Sequence, residues 1–173
     1  MMKKTLCLLL AAITVCTAGL TSCGGSDSSS KSGDAAAVSA SDDMKKVDVP
    51  AAADRFKNEI KWVDSLNELE SGMIEKVIGV SADLYTSGKV YIGSGGATAE
   101  EIAVFEAKDI DSAEKIMDAY KKRIEAQKKA FENYQPKELD KLNDPLLTSA
   151  KQYVFVCISD ERSKAMEILS ELI

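Results

Sequence analysis

Tyr153-Val154-Phe155-Val156-Cys157-Ile158-Ser159 decides how the rest of the chain is read. Side chains alternate between the two faces of a strand, so Tyr153, Phe155 and Cys157 share one face and Val154, Val156 and Ile158 the other. Both faces are apolar, which calls for a strand that is central in its sheet or covered on both sides. Just upstream, Leu146 to Ser149 suits a short hairpin arm pairing beside it. Downstream, Asp160 is placed to cap a terminal helix whose Ala165, Ile168, Leu169, Leu172 and Ile173 would dock on the sheet.

Two further strands are expected nearer the N-terminus. Lys89-Val90-Tyr91-Ile92 follows the turn signal Ser87-Gly88 and predicts a strand over about residues 89 to 94, with Val90 and Ile92 on one face. Gly93-Ser94-Gly95-Gly96-Ala97-Thr98 resembles a phosphate-cradling loop only superficially, because the G-x-G-x-x-G spacing needs glycine where Thr98 stands. A flexible hairpin connection is the simpler reading. From Ala99 to Lys108 the local pattern supports two assignments: Thr98 with Glu101 makes a capping box, whereas Ile102 to Phe105 is a short apolar run bounded by charge. The strand is preferred, over residues 101 to 107. Glu100 and Glu101 then point to opposite faces and cannot act as a carboxylate pair on one substrate atom, so they are expected as charged residues at the strand edge.

Helices fill the intervals. Pro50 in Asp48-Val49-Pro50 suits a first helical turn, ahead of Ala53, Phe56, Ile60 and Val63 at helical spacing; Trp62 falls off this stripe and reads as a core or groove filler. Ser71 is the expected cap of a shorter helix through Ile74, Val77 and Ile78, stopped by Gly79. Asp111 with Glu114 forms a capping box for the longest helix, about Ser112 to Tyr134. Its stripe of Ala113, Met117, Tyr120, Ile124, Gln127, Phe131 and Tyr134 fits a coiled-coil seam or, more simply, a helix lying across its own sheet. Lys121, Lys122, Glu125, Lys128, Lys129 and Glu132 make the solvated face, with Lys121–Glu125 and Glu125–Lys129 as helical ion pairs. Pro136 opens a one- to two-turn helix carrying Leu139 and Leu142, ended by Asn143-Asp144-Pro145.

The expected architecture is therefore α+β: a two-layer sandwich with a three- or four-stranded, mostly antiparallel sheet packed by the long helix and the C-terminal helix. The Ala-Glu-Glu-Ile-Ala-Val-Phe run of residues 99–105, the Lys108-Asp109 after it, the long helix, Tyr134-Gln135-Pro136-Lys137-Glu138 and Tyr153-Val154-Phe155-Val156 resemble a family of small, uncharacterised lipoproteins of Gram-positive bacteria, a domain of unknown function. The resemblance spans about residues 50 to 170 and brings no activity or catalytic residue with it.

Ahead of the domain, Lys3-Lys4 and the mainly apolar run Leu6 to Leu20, short for a spanning helix of about 20 residues, read as a cleaved signal over residues 1–22. Leu20-Thr21-Ser22-Cys23 resembles the lipobox of bacterial lipoproteins, which implies a diacylglyceryl thioether on Cys23 as the first residue of the mature chain. Each buried methylene contributes about 0.8 kcal/mol, so two acyl chains hold where one binds reversibly. Residues 23–47 then form a Ser/Gly/Ala-rich linker, and for about 24 flexible residues the root-mean-square span is roughly 25 to 30 Å. The globular domain is expected over residues 48–173.

Chemistry is constrained more by what is missing. The chain has 173 residues and no histidine, which removes the commonest metal ligand and the commonest acid/base group near neutral pH. Lys3 and Lys4 are the only charges before Cys23, so 20 of the 22 basic residues face 28 acidic ones in the mature chain, a net charge of −8. That balance argues against nucleic acid as a partner and against a polybasic membrane patch. Cys7 and Cys16 lie in the signal and Cys23 in the lipobox, leaving Cys157 in an apolar strand as an inert small hydrophobe. Asp109, Asp111 and Glu114 lack the glycine and spacing of a calcium loop.

No catalytic residue, metal site or cofactor is therefore expected, and Cys23 is the one residue with an assignable modification. The expectation is a non-enzymatic binding or accessory protein of the cell envelope, held on the extracytoplasmic face of the cell membrane through lipidated Cys23, with an envelope protein or a small ligand as partner. The competing expectation is a small-molecule sensor or transport-associated binder with Gly93 to Thr98, Tyr91 and Trp62 as a pocket rim.

Overall fold

A computed structural model describes residues 45–173. Cys23, the expected signal and most of the expected linker lie outside the described residues. Five strands are present among them: β1 (Leu66–Glu68), β2 (Tyr85–Gly93), β3 (Glu101–Ala107), β4 (Leu146–Ala150) and β5 (Tyr153–Ile158). They lie in the order β1-β2-β3-β5-β4, every neighbouring pair antiparallel. β5 is held on both sides, Phe155 standing opposite Val104 of β3 and Thr148 of β4.

The alternation along β5 divides the core in two. Tyr153, Phe155 and Cys157 join Tyr91, Ile102 and Val104 beneath α1 (Val49–Glu59) and α5 (Arg162–Leu172). Val154, Val156 and Ile158 join Val90, Ala103 and Phe105 beneath α2 (Ser71–Ile78), α3 (Ile110–Phe131) and α4 (Leu139–Asn143). The α+β class and the antiparallel sheet packed by a long and a C-terminal helix are observed. Two features of the expected sandwich are corrected. There are five strands rather than three or four, and helices cover both faces, so three layers replace two. The extra layer has a direct cause: β3 and β5 are apolar on both sides, and a single helical layer would leave one side in water.

The additional strand, β1, is three residues long with Asn67 and Glu68 exposed, too short and too polar to show a period. β2 begins at Tyr85, four residues earlier than expected, and runs straight through Ser87-Gly88. Gly88 is there for close approach and not for a turn. It stands opposite Phe105, and a Cβ on it would lie 2.6 Å from Phe105 Cδ1. The tight turn is instead Lys151-Gln152 between β4 and β5, where Lys151 adopts φ 51°, as a two-residue hairpin connection demands.

Several helix boundaries move. Asp48 caps α1 by accepting from Ala51 N, and Pro50 sits in the first turn as expected, but the helix ends at Glu59 and Val63 lies beyond it, exposed. α2 starts at Ser71 itself with Glu70 at the cap, and stops at Gly79 with φ 86°. α3 is capped by Asp109, which accepts from Ser112 N at 2.7 Å, two residues before the expected Asp111. Ala113, Ile116, Tyr120, Ile124 and Phe131 bury its inner face against the sheet, whereas Tyr134 is past the helix end and exposed. Its surface pairs form at a spacing of three, Asp118–Lys121 and Glu125–Lys128, instead of the expected Lys121–Glu125 and Glu125–Lys129. Glu161, not Asp160, occupies the cap of α5, because Asp160 is turned toward Lys141.

Candidate functional site

Two carboxylates enter the sheet where β3 begins. Glu100 and Glu101 were expected at an exposed strand edge, and both are instead buried, on separate sides and with separate partners. Burying an unpaired charge costs several kcal/mol, so each position depends on a cation and on hydrogen-bond donors.

Glu101 faces α3. Arg123 closes on it as a fork: Nε donates to Oε1 and Oε2 at 3.1 and 2.9 Å, and Nη2 donates to Oε2 at 2.7 Å. Nη1 of the same guanidinium donates to Val77 O at 2.6 Å and so satisfies a carbonyl of the last turn of α2. Burial pushes the Glu101 carboxyl up, and the Arg123 charge draws it part of the way back. Tyr120 lies beside this pair with a buried hydroxyl, and burial with the nearby Glu101 charge raises its phenol well above the usual range.

Glu100 faces the segment before β1. Its carboxylate accepts from Val63 N at 3.0 and 3.1 Å and from Asp64 N at 2.9 Å, and Lys141 Nζ of α4 donates to it at 3.1 Å. The Lys141 ammonium also meets Glu138 at 3.2 Å and Asp160 at 3.4 Å. Burial by itself would lower the Lys141 pKa, yet the facing carboxylates Glu100 and Glu138 hold it above the ordinary lysine value. The amine therefore stays charged, and the Glu100 oxygens are filled by donors. This cluster is a latch joining α4, β3 and the approach to β1.

The remaining candidates are placed just as plainly. Cys157 is buried, and desolvation pushes its thiol up to about 12, which withholds the thiolate at neutral pH. The Gly93 to Thr98 connection joins β2 to β3 as a hairpin and is gripped by Asp64, whose carboxylate accepts from Gly95 N at 2.8 Å and from Ser94 Oγ at 3.0 Å. Trp62 donates its indole N–H to Lys57 O, and Tyr91 donates its hydroxyl to Asp54 beneath the Lys57 ammonium. Tyr91 and Trp62 thus pack on the α1 side of the sheet. Asp109, Asp111 and Glu114 do not converge, and among the described residues no group of three or more His, Cys, Asp or Glu side chains is placed to hold a metal.

Concave surface occurs elsewhere. Between the C-terminal turn of α2 and the outer side of α3 runs a groove of about 640 Å³ lined by Lys76, Val77, Lys115, Lys122, Arg123 and Gln127 among others, with Ala119, Ala126 and Ala130 along α3. Its lining contains four cations and no carboxylate. Arg123 is neutralised by Glu101, whereas Lys76, Lys115 and Lys122 form no ion pair within the described residues. The net negative charge had argued against such a concentration. No helix period could reveal it either, since Lys76 belongs to a different helix from the other three.

A family model described as a domain of unknown function (DUF4358) matches residues 63–159. The chain belongs to that family. The matched DUF4358 segment takes in all five strands, α2, α3 and α4, and with them the groove, both buried carboxylates and Lys141. α1 and α5 lie outside it, although they cover Ile102, Val104, Phe155 and Cys157. The folding unit of the DUF4358 domain in this chain is therefore larger than the matched segment, which alone would expose one whole face of its sheet. No curated protein and no solved structure matches the chain significantly.

Proposed function

We propose that this chain is a lipid-anchored protein of the extracytoplasmic membrane face, tethered through Cys23, whose domain binds a partner of the cell envelope and does not turn over a substrate. The observation that carries the binding half is the α2–α3 groove, a concave surface of about 640 Å³ with charged and small side chains on display. Supporting it, the nucleophile and amine of the interior are both held in unreactive forms, Cys157 as a thiol and Lys141 as an ammonium. The anchoring half is supported by the Leu20-Thr21-Ser22-Cys23 motif and by the Ser/Gly/Ala-rich composition of the residues that follow it. No described helix is long and apolar enough to cross a membrane.

Expression of the full chain with labelled fatty acid tests the anchor. Label should appear in the parent and be absent from Cys23→Ser, which should also leave the membrane fraction; label persisting in Cys23→Ser would remove the anchor from this reading. Crosslinking of the lipidated chain in its own membrane tests the partner. Absence of any adduct with an envelope component would remove the binding role.

A further inference from the structure

We infer that the α2–α3 groove is the docking surface for an acidic segment of a partner protein, an inference that rests on the binding role proposed above and names the chemistry of what is bound. Three independent features converge on it. The first is charge. On a chain with 28 acidic and 22 basic residues, the groove is lined by Lys76, Lys115, Lys122 and Arg123 with no carboxylate among them. Arg123 is accounted for internally by Glu101 and Val77 O, whereas Lys76, Lys115 and Lys122 make no direct ion pair among the described residues, Lys115 and Lys122 having only the longer-range charges of Asp109 and Asp118. An anionic partner would complete them, and charge complementarity of this kind selects partner and register.

The second feature is shape. Lys115 to Ala130 are 16 residues of α3, 15 rises of 1.5 Å or about 22 Å of groove. Ala119, Ala126 and Ala130 form a strip without projecting side chains, so a second backbone can approach closely there. A flat lipid surface would meet the exposed lysines but leave this floor unfilled. An elongated acidic peptide segment fills both.

The third feature is an unmet polar atom inside the groove. Gln127 Oε1 is shielded from solvent and accepts no hydrogen bond among the described residues. A buried acceptor in this state costs free energy, and turning the Gln127 amide outward into the groove would let it accept from a peptide N–H lying along α3.

The test uses the full lipidated chain in its own membrane, with a photo-crosslinking side chain introduced at Ala126 in the groove or, as reference, at Asn58 on the exposed side of α1. From Ala126 the expected adduct is a protein, and peptide mapping should locate it in a segment with an excess of Asp and Glu. Its yield should fall roughly tenfold in Lys115→Glu/Lys122→Glu and stay level in Lys61→Glu/Lys137→Glu, which makes the same change in net charge away from the groove. All four lysines are exposed, so the melting temperature of each double variant should match the parent. An Ala126 adduct that is lipid, wall polymer or a segment without acidic excess would overturn the inference, as would a yield indifferent to the groove reversal. If Asn58 captures an envelope protein and Ala126 captures none, the groove is wrong and the binding role stands. If neither position captures anything, the binding role itself fails.

Discussion

Removing the Lys141 ammonium is the sharpest perturbation available, because its surroundings are fully specified. Its side chain is 3% exposed and faces Glu100 at 3.1 Å, itself 0% exposed. Lys141→Met keeps most of the aliphatic length and deletes the charge. Glu100 then retains only the Val63 and Asp64 N–H donors, while Glu138 and Asp160 remain close by with no cation between them. Breaking a buried pair from one side costs about 3–5 kcal/mol, because the orphaned charge stays desolvated. Against a total stability of roughly 5–15 kcal/mol that is a large fraction. With about 3–5 °C lost per kcal/mol for a domain of this size, the melting temperature should fall by about 10–20 °C. Glu100→Gln/Lys141→Met removes both charges, and Gln can still accept from Asp64 N. The double variant should therefore recover about 2 kcal/mol or more relative to Lys141→Met alone, a strongly non-additive cycle. Urea denaturation at pH 7, followed by circular dichroism, measures all the states of the cycle. A Lys141→Met cost below about 1 kcal/mol, or single costs that simply add, would refute the latch.

Gly88→Ala should destabilise the domain by about 1–3 kcal/mol, read from the same denaturation curves, because the new Cβ meets the fully buried Phe105 ring at 2.6 Å. Native Cys157 should resist a thiol reagent at pH 8 and react at once when the chain is unfolded in urea. Its folded pKa of about 12 lies above the ordinary 9.0, so the unfolded chain releases the thiol proton first and stability should decline as the pH rises from about 9 toward 12. Cys157→Ala should flatten that alkaline decline; an unchanged slope would assign it to other groups. Asp64→Ala should release the Gly93 to Thr98 connection, seen as faster hydrogen exchange at the Gly95 amide. Because that amide, with Ser94, holds the Asp64 pKa below the usual carboxylate value, the same loosening should appear in the parent as the pH falls through that lowered value.

How much of this was legible in the residues varies with the range of the interaction. β5 and most of the inner face of α3 were read correctly, Gln127 and Tyr134 excepted, because two- and 3.6-residue periods are written into consecutive positions. The Gly79 stop and the Pro50 start followed from chemistry within one turn. Caps were less secure. Asp109 and Asp111 are equally good acceptors, and only the path of the chain out of β3 places Asp109 at the cap.

The buried carboxylates were missed for a related reason. Glu100-Glu101 beside an apolar run looks like an exposed strand end, and their counter-ions Lys141 and Arg123 are 41 and 22 residues away. No local signal distinguishes those two cations from the other charged residues around them. Lys141 was one charge in a two-turn helix, and Arg123 one among the charges of α3.

The sequence by itself determined most of the helices, the doubly apolar central strand and the exclusion of histidine chemistry, and it carries the lipobox resemblance at Cys23, since each depends on residue type and near-neighbour spacing. Only the tertiary structure decided that helices cover both faces, that Gly88 exists to admit Phe105, that two glutamates are locked by distant cations and that Lys76 joins Lys115 and Lys122 across a groove. These depend on which non-adjacent surfaces meet, and that is settled by burying both sides of one sheet together, a property of the whole chain and of no single stretch of it.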